Sequence, residues 1–289
     1  LFSSKNSHVI IKSNIIVFRN NLINMNILKL FDLSGRVAII TGAAGNLGSK
    51  YAEGLSQAGA NVVLADIDYE TCQKLGKELE NKYSTKTLAI KLDLNNKNSI
   101  KNMVSKSVKK FSKIDILINN AAYQGNKKIR KINFEDFPLN EWDKAVSVNL
   151  TGIFLTCQEV GKIMLKQKNG NIINISSTYG LVAPDQRIYG ISGQNSAAFY
   201  SATKGAIINL TRYLASYWNR TGIRVNCLSP GGVENSQESN FIKKYSEKTI
   251  LGRMAKKDEY VGAIIFLSSN ASSYMTGSNL IIDGGWTAW

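Results

Sequence analysis

From Arg36 onward the chain alternates short apolar runs with longer stretches, and this rhythm constrains the fold more than any other feature. The runs are VAII (37–40), NVVLAD (61–66), LAIKLD (88–93), DILINNAA (115–122), GNIINISS (170–177), IRVNCLSP (223–230) and NLIIDGG (279–285). Each is rich in Ile, Val and Leu and apolar on both faces, which is how strands buried inside a parallel sheet read. The stretches between them are long enough for helices, as where Ile207, Leu210, Leu214 and Tyr217 share one stripe. Strands joined by right-handed helical crossovers predict an α/β fold: a Rossmann-type, doubly wound parallel sheet of seven strands with helices on both faces. In such sheets ligands sit beyond the carboxyl ends of the strands, so the residues closing each run are where chemistry is expected.

Few other architectures fit. The 289 residues contain three prolines and no Pro- or Ser-rich linker, so residues 31–289 read as one domain. Residues 1–30 read as an N-terminal extension, disordered or loosely docked, with Met25 the expected natural start. They hold no acidic residue, and Lys12 and Arg19 break their apolar run short of the roughly 18 residues a membrane span needs. Cys72, Cys157 and Cys227 are far apart, which fits a reducing, cytoplasmic setting rather than a disulfide framework. The single histidine, His8, leaves no Ser/His/Asp triad and no His- or Cys-rich metal site in the body of the chain; no metal is expected. The net charge of +15 is spread over most helices without a block of basic residues. This pattern reads as a solvated surface, then as attraction for small anions, and last as a nucleic-acid face.

After the first run comes Thr41-Gly42-Ala43-Ala44-Gly45-Asn46-Leu47-Gly48, followed by a helix expected over about 49–58. Gly42 would allow the sharp turn, Gly45 would let backbone approach a pyrophosphate, and Gly48 would let helix pack closely on strand. Asn46 tolerates left-handed backbone. The second run ends at Asp66, 18 residues past Gly48, where a carboxylate can accept from ribose hydroxyls and repel a 2′-phosphate. NAD(H) is therefore expected over NADP(H). Asp68 is a rival for the same role.

Tyr-x-x-x-Lys occurs twice, at Tyr200/Lys204 and Tyr123/Lys127. The second pair lies in a loop with Gly125, whereas Tyr200 and Lys204 open an amphipathic helix and project the same way. Interconverting a secondary alcohol and a ketone needs one group that takes and returns a proton. A free tyrosine, with a pKa of about 10, is a poor base unless a nearby cation stabilises its phenolate.

Taken together, these elements resemble the short-chain dehydrogenase/reductase family over about residues 33–285. The matching pieces are the glycine turn, Asp93-Leu94, Asn119-Asn120-Ala121-Ala122, Val148-Asn149-Leu150, Asn174-Ile175-Ser176-Ser177, Tyr200 through Lys204 and Ser229-Pro230-Gly231-Gly232. The resemblance implies a catalytic set of Asn149, Ser177, Tyr200 and Lys204. In it Ser177 bonds the substrate oxygen, Lys204 holds ribose hydroxyls, and Asn149 positions a relaying water. It also implies a cofactor held by Gly42, Gly45, Asn46, Leu47, Gly48, Asp66, Asp93, Leu94, Asn120, Ala121, Tyr200, Lys204, Pro230, Gly231 and Val233. A homotetramer or homodimer is implied too, with the C-terminal GGWTAW near a subunit contact.

Three features depart from the family pattern. Asn46 stands where glycine is usual, and Ala122 closes the usual Asn-Asn-Ala-Gly. Ser177 and Tyr200 are 23 positions apart, longer than usual, so residues 178–199 must loop over the site, and Ser176, Ser192 and Ser196 stand as alternatives to Ser177. The enlarged loop, with NNAA and SPGGVEN, is similar to the flagellin-modification protein A-like branch, linked to bacterial surface-sugar pathways. A phosphorylated or carboxylated sugar would suit the basic residues Lys127, Lys128, Arg130, Lys131, Arg187, Lys243 and Lys244. The rival expectations are an acyl-carrier-protein ketoreductase, a gluconate-type dehydrogenase, and a non-catalytic NAD(H) sensor or RNA-associated protein on the same scaffold.

Overall fold

A computed structural model describes residues 26–289. The expectations for residues 1–25, their disorder and the start at Met25, lie outside the described residues. Residues 27–30, read from sequence as part of the extension, fall within a single 3-10 turn, Ile27–Phe31, capped by the Asn26 side chain.

Seven strands form one parallel sheet: β1 Val37–Thr41, β2 Asn61–Asp66, β3 Thr87–Lys91, β4 Ile116–Asn119, β5 Gly170–Ile175, β6 Ile223–Pro230 and β7 Asn279–Ile282. Their order is 3-2-1-4-5-6-7, with every adjacent pair parallel. The direction of winding reverses between β1 and β4, where ligand crevices form in doubly wound sheets. The helices are α1 Asn46–Gln57, α2 Tyr69–Lys82, α3 Lys97–Phe111, α4 Leu139–Val146, α5 Gly152–Gln167, α6 Ala198–Tyr217, α7 Ser239–Ser246 and α8 Val261–Ser268. Among the described residues no helix is long and apolar enough to cross a membrane.

The strands read as apolar on both faces because both faces are covered. Val37 and Ile39 of β1 enter one core with Ile100 and Met103 of α3, Val160 of α5 and Ile207 of α6. Ala38 and Ile40 enter the other with Tyr51 and Leu55 of α1, Cys72 of α2 and Ile264 of α8. The expectation fails at the edges. β3 and β7 are only partly buried, and Ile281 is 43% exposed, because an edge strand of one chain lacks a neighbour on one side and part of its helical cover. The stripe on α6 is also corrected. Trp218 packs inward, while Tyr217 faces out and stacks on Tyr213 at 5.9 Å. Eleven residues after Ile207 is close to three whole helical turns, and ten is not.

Candidate active site

The ends of β1 and β4 are stitched together at the crevice. The Thr41 hydroxyl accepts from the backbone N–H groups of Asn120 (3.0 Å) and Ala121 (3.1 Å). The Asn120 amide donates back to the carbonyls of Thr41 (3.0 Å) and Gly42 (3.1 Å). Gly42 has φ +68°, and a Cβ there would lie 2.8 Å from the Ala121 Cα. Gly45 caps α1, which begins at Asn46, earlier than the sequence predicts. Asn46 is the first helical residue and is not among the positive-φ positions, so its tolerance of left-handed backbone is not used. Gly48 packs α1 against the turn itself: a Cβ would sit 2.0 Å from the Gly42 carbonyl oxygen. Asp66 closes β2 and accepts from the N–H groups of Ala44 (3.0 Å) and Asp68 (3.1 Å). Its rival, Asp68, is exposed and caps α2 through Thr71.

A cavity of about 690 Å³ runs beyond these strand ends. Gly42, Gly45, Asn46, Leu47, Asp66, Asp93, Leu94, Asn120, Ala121, Pro230, Gly231 and Val233 line it, as do Ser177, Tyr200 and Lys204. Gly48 and Asn149 do not. Asn149 is fully buried in a π-helical turn, Ser147–Thr151, that joins α4 to α5. Its side-chain oxygen accepts from the Tyr123 N–H (2.6 Å) and its amide donates to the Tyr123 carbonyl (2.9 Å), so that amide braces the loop after β4.

α6 carries Tyr200 and Lys204 on one side, with the lysine nitrogen 5.6 Å from the tyrosine ring centre. Lys204 is buried and donates to the Ile175 carbonyl at 2.7 Å. Burial pulls its ammonium down to about 8. Burial holds the Tyr200 phenol above its ordinary range, opposed in part by Ser177, reinforced by Tyr189 and opposed more weakly by the charge of Arg130. Ser176 donates to the Lys204 carbonyl (2.7 Å), Ser192 donates to the Tyr189 carbonyl (2.7 Å), and Ser196 lines the cavity along with the inserted segment. Ser177 is the serine turned to Tyr200, held by the Tyr179 N–H at 3.2 Å.

Two residues inside the runs that match the family pattern are architectural. Asn119 donates to the Asn174 side chain (2.9 Å), Thr156 donates to Asn119 (2.7 Å), and Asn174 donates to Thr211 (3.0 Å). This buried chain locks β4 and β5 to α5 and α6 beneath the site. Of the basic residues expected on the substrate side, only Arg130 lines the cavity. Lys127, Lys128, Lys131 and Lys243 point to solvent, Arg187 pairs with Asp185 (2.8 Å), and Lys244 donates to the Arg187 carbonyl (3.2 Å). Lys144, on α4, lines the cavity and was not foreseen. A helix-surface lysine gives no local signal of what lies above it.

The profile of the Enoyl-(Acyl carrier protein) reductase family matches residues 42–287. The 3-oxoacyl-[acyl-carrier-protein] reductase of Thermotoga maritima is 36% identical over 257 residues, covering 88% of this chain and 98% of that protein. The post-translational flagellin modification protein A of Campylobacter coli is 32% identical, covering 88% and 99%. A gluconate 5-dehydrogenase of Burkholderia cenocepacia, solved with NADP and tartrate, superposes with a TM-score of 0.82 at 31% identity, covering 91% and 100%. With its sheet order, its stitched crevice and this similarity along nearly its whole length, the chain belongs to the short-chain dehydrogenase/reductase family of nicotinamide-dependent oxidoreductases.

Proposed function

We propose that the protein interconverts a secondary alcohol and a ketone on a polar, sugar-like substrate, using NAD(H), with Tyr200 as general acid and base. The observation that carries this reading is the convergence of Ser177, Tyr200, Lys204 and Asp66 on one cavity at the reversal point of the sheet. The cavity fits a dinucleotide. Gly42 and Gly48 leave no room for a Cβ, which brings the first turn of α1 close under the crevice, and Asp66 has lone pairs left beyond its two backbone donors. Gly45, Asn46 and Leu47 would hold the pyrophosphate at the α1 N-terminus. Asp66 would take the adenosine ribose, Asp93 and Leu94 would flank the adenine side, and Asn120, Ala121, Pro230, Gly231 and Val233 would frame the nicotinamide end. When bound, the nicotinamide takes or gives the hydride.

The chain's own residues then handle orientation and the proton. Ser177 donates to the substrate oxygen. The Tyr200 hydroxyl gives its proton to that oxygen in reduction and takes it back in oxidation. Lys204, fixed on the Ile175 carbonyl, would present its remaining N–H donors to ribose hydroxyls and would stabilise phenolate on Tyr200. Asn149 contributes by fixing the β4 loop through its two bonds to the Tyr123 backbone.

Asp66→Ala is expected to weaken NADH binding about 10- to 100-fold, the worth of a hydrogen bond to a charged group. NADPH binding should change little or improve as the repulsion disappears. Asp66→Asn, which keeps an acceptor for Ala44, separates charge from turn geometry. Fluorescence titration of both cofactors reads the result, and equal NADH affinity in all three proteins would sink the assignment.

A ketoreductase acting on acyl-carrier-protein thioesters is the second reading, favoured by the Thermotoga maritima relative and by the net charge of +15. Acetoacetyl thioester reduction with NADPH distinguishes it. A non-catalytic sensor is disfavoured because Tyr200 and Lys204 both face the cavity. The three buried, unpaired cysteines support a reducing, cytoplasmic setting. We also infer a homo-oligomer, dimer or tetramer. Phe154 and Leu165 on α5 and Tyr213 and Tyr217 on α6 are large and exposed, while Trp286 is buried against Tyr245 of its own chain rather than kept free for a partner. Sedimentation velocity is expected to show no monomer at micromolar concentration.

A further inference from the structure

We propose that Arg130 is the specificity-determining residue of the substrate cavity, taking an oxyanion (a carboxylate or a phosphate monoester) on the alcohol-bearing substrate. Asn195 and Tyr189, from the inserted segment, are the positioning residues that hold it there. The proposal rests on the oxidoreductase reading above and adds the chemical class of its substrate.

Arg130 differs from the other arginines of the described chain. Arg36 and Asp115, Arg187 and Asp185, and Arg253 and Glu259 form ion pairs, and Arg224 is spent on backbone carbonyls and Ser272. Arg212 and Arg220 face solvent. Arg130 is half-buried in the cavity wall, and among the described ion pairs and side-chain hydrogen bonds none engages its guanidinium. A cation withdrawn from water without a partner is costly unless a ligand supplies one. The planar fork of five donors matches a carboxylate or phosphate edge. The only carboxylates lining the cavity are Asp66 and Asp93, at the end assigned to the cofactor. Arg130 lines the same cavity as Ser177 and Tyr200, so an anion on it would be held beside the proposed site of proton exchange.

The insert builds the support. The Asn195 N–H donates to the Arg130 carbonyl at 2.7 Å and its side-chain amide donates to the Ile132 carbonyl at 2.8 Å, closing the insert onto the short 3-10 turn that carries Arg130. Tyr189 places its ring 6.0 Å from the guanidinium carbon and is itself 7% exposed, tilted against Phe241 of α7. Gln186 fastens the base of this loop through Ser196, donating to its carbonyl and accepting from its N–H. Besides the buried Lys204, the cavity is lined by Lys144, which lies on the exposed face of α4 with its nitrogen 4.6 Å from the Tyr123 ring centre and no bond from the insert to its turn.

The test uses the full chain loaded with NADH, so that alcohol probes form complexes that cannot turn over. Gluconate, glucitol and glucitol phosphate are titrated by calorimetry into wild type, Arg130→Gln, Arg130→Lys, Asn195→Ala and Lys144→Gln. At least one anionic probe is expected to bind about tenfold or more tighter than uncharged glucitol, consistent with one charge-assisted bidentate contact. Arg130→Gln should erase that preference without changing glucitol or NADH affinity. Arg130→Lys should restore part of it, Asn195→Ala should reduce it, and Lys144→Gln should leave it. Which anion is preferred identifies the group. If wild type shows no preference for either anion, or Arg130→Gln keeps one, the proposal is overturned while the cofactor reading stands. If wild type binds no NADH, the cofactor reading falls and this one falls with it.

Discussion

Replacing Tyr200 by phenylalanine is expected to lower kcat/KM by roughly 10³-fold, the range for losing a positioned general acid and base. NADH affinity and thermal stability should stay near wild type. The ring packs with Ala145, Ala197 and Phe199, and phenylalanine keeps those contacts. The hydroxyl does no structural work there, since its interactions are with Ser177 and with charge in the cavity. Steady-state rates on a panel of oxo sugars and polyols, read through cofactor absorbance, make the measurement. A variant within tenfold of wild type, with cofactor bound, would remove Tyr200 from the chemistry.

The second large effect is on folding rather than chemistry. Gly48→Ala is expected to cost about 3 kcal/mol or more and to lower the thermal midpoint by about 10 °C. The added Cβ would lie 2.0 Å from the Gly42 oxygen, 2.8 Å from the Gly42 carbonyl carbon and 2.9 Å from the Ala43 Cα. All three are backbone atoms, so no side chain can swing aside, and the start of α1 must move. NADH binding should collapse along with stability, because the same turn presents the helix N-terminus. Gly262→Ala is the control. Nothing lies within 4 Å of its added Cβ, and helix propensity makes alanine neutral or better there. A Gly48→Ala protein melting with wild type would show that the turn accommodates a side chain at this position.

Much of this was legible in the chain because a parallel sheet writes itself twice, once in short apolar runs and once in the turn residues that end them. The glycine turn, Asp66 and the Tyr200/Lys204 pair are read from their places at strand ends and on one helix face, and Ser177 from the family resemblance; Gly42, Gly45, Asp66, Ser177, Tyr200 and Lys204 all line one cavity. What was not legible depends on neighbours remote in sequence. Periodicity gives a strand's faces but not its place in the sheet, so the half-open flanks of β3 and β7 were missed. Seven basic residues near the substrate side look alike in sequence, and contacts remote along the chain, such as that from Asn195 to Arg130, 65 positions apart, go with the one that lies in the cavity wall. Asn119 and Asn174 sit in runs suggestive of chemistry, yet their amides are consumed by one another and by threonines. The acidity of Tyr200 is set by burial first, with Ser177 and Arg130 opposing it, a balance the Tyr-x-x-x-Lys spacing does not encode.

The segment from 181 to 196 touches the β4 loop at one end and α7 at the other, yet contributes no strand to the sheet and no residue to the proton exchange. It is anchored by its middle, where Ile188 and Tyr189 are buried with Tyr245, Met254 and Trp286. On the proposed function, substitutions at its exposed positions would bear on which molecules are accepted, while Ser177, just past β5, and Tyr200, on α6, keep their places. Changes at its exposed positions, such as Leu181, Val182 and Ile191, should therefore be far better tolerated than changes at Ile188 or Tyr189, since exposed loop positions tolerate change better than packed ones.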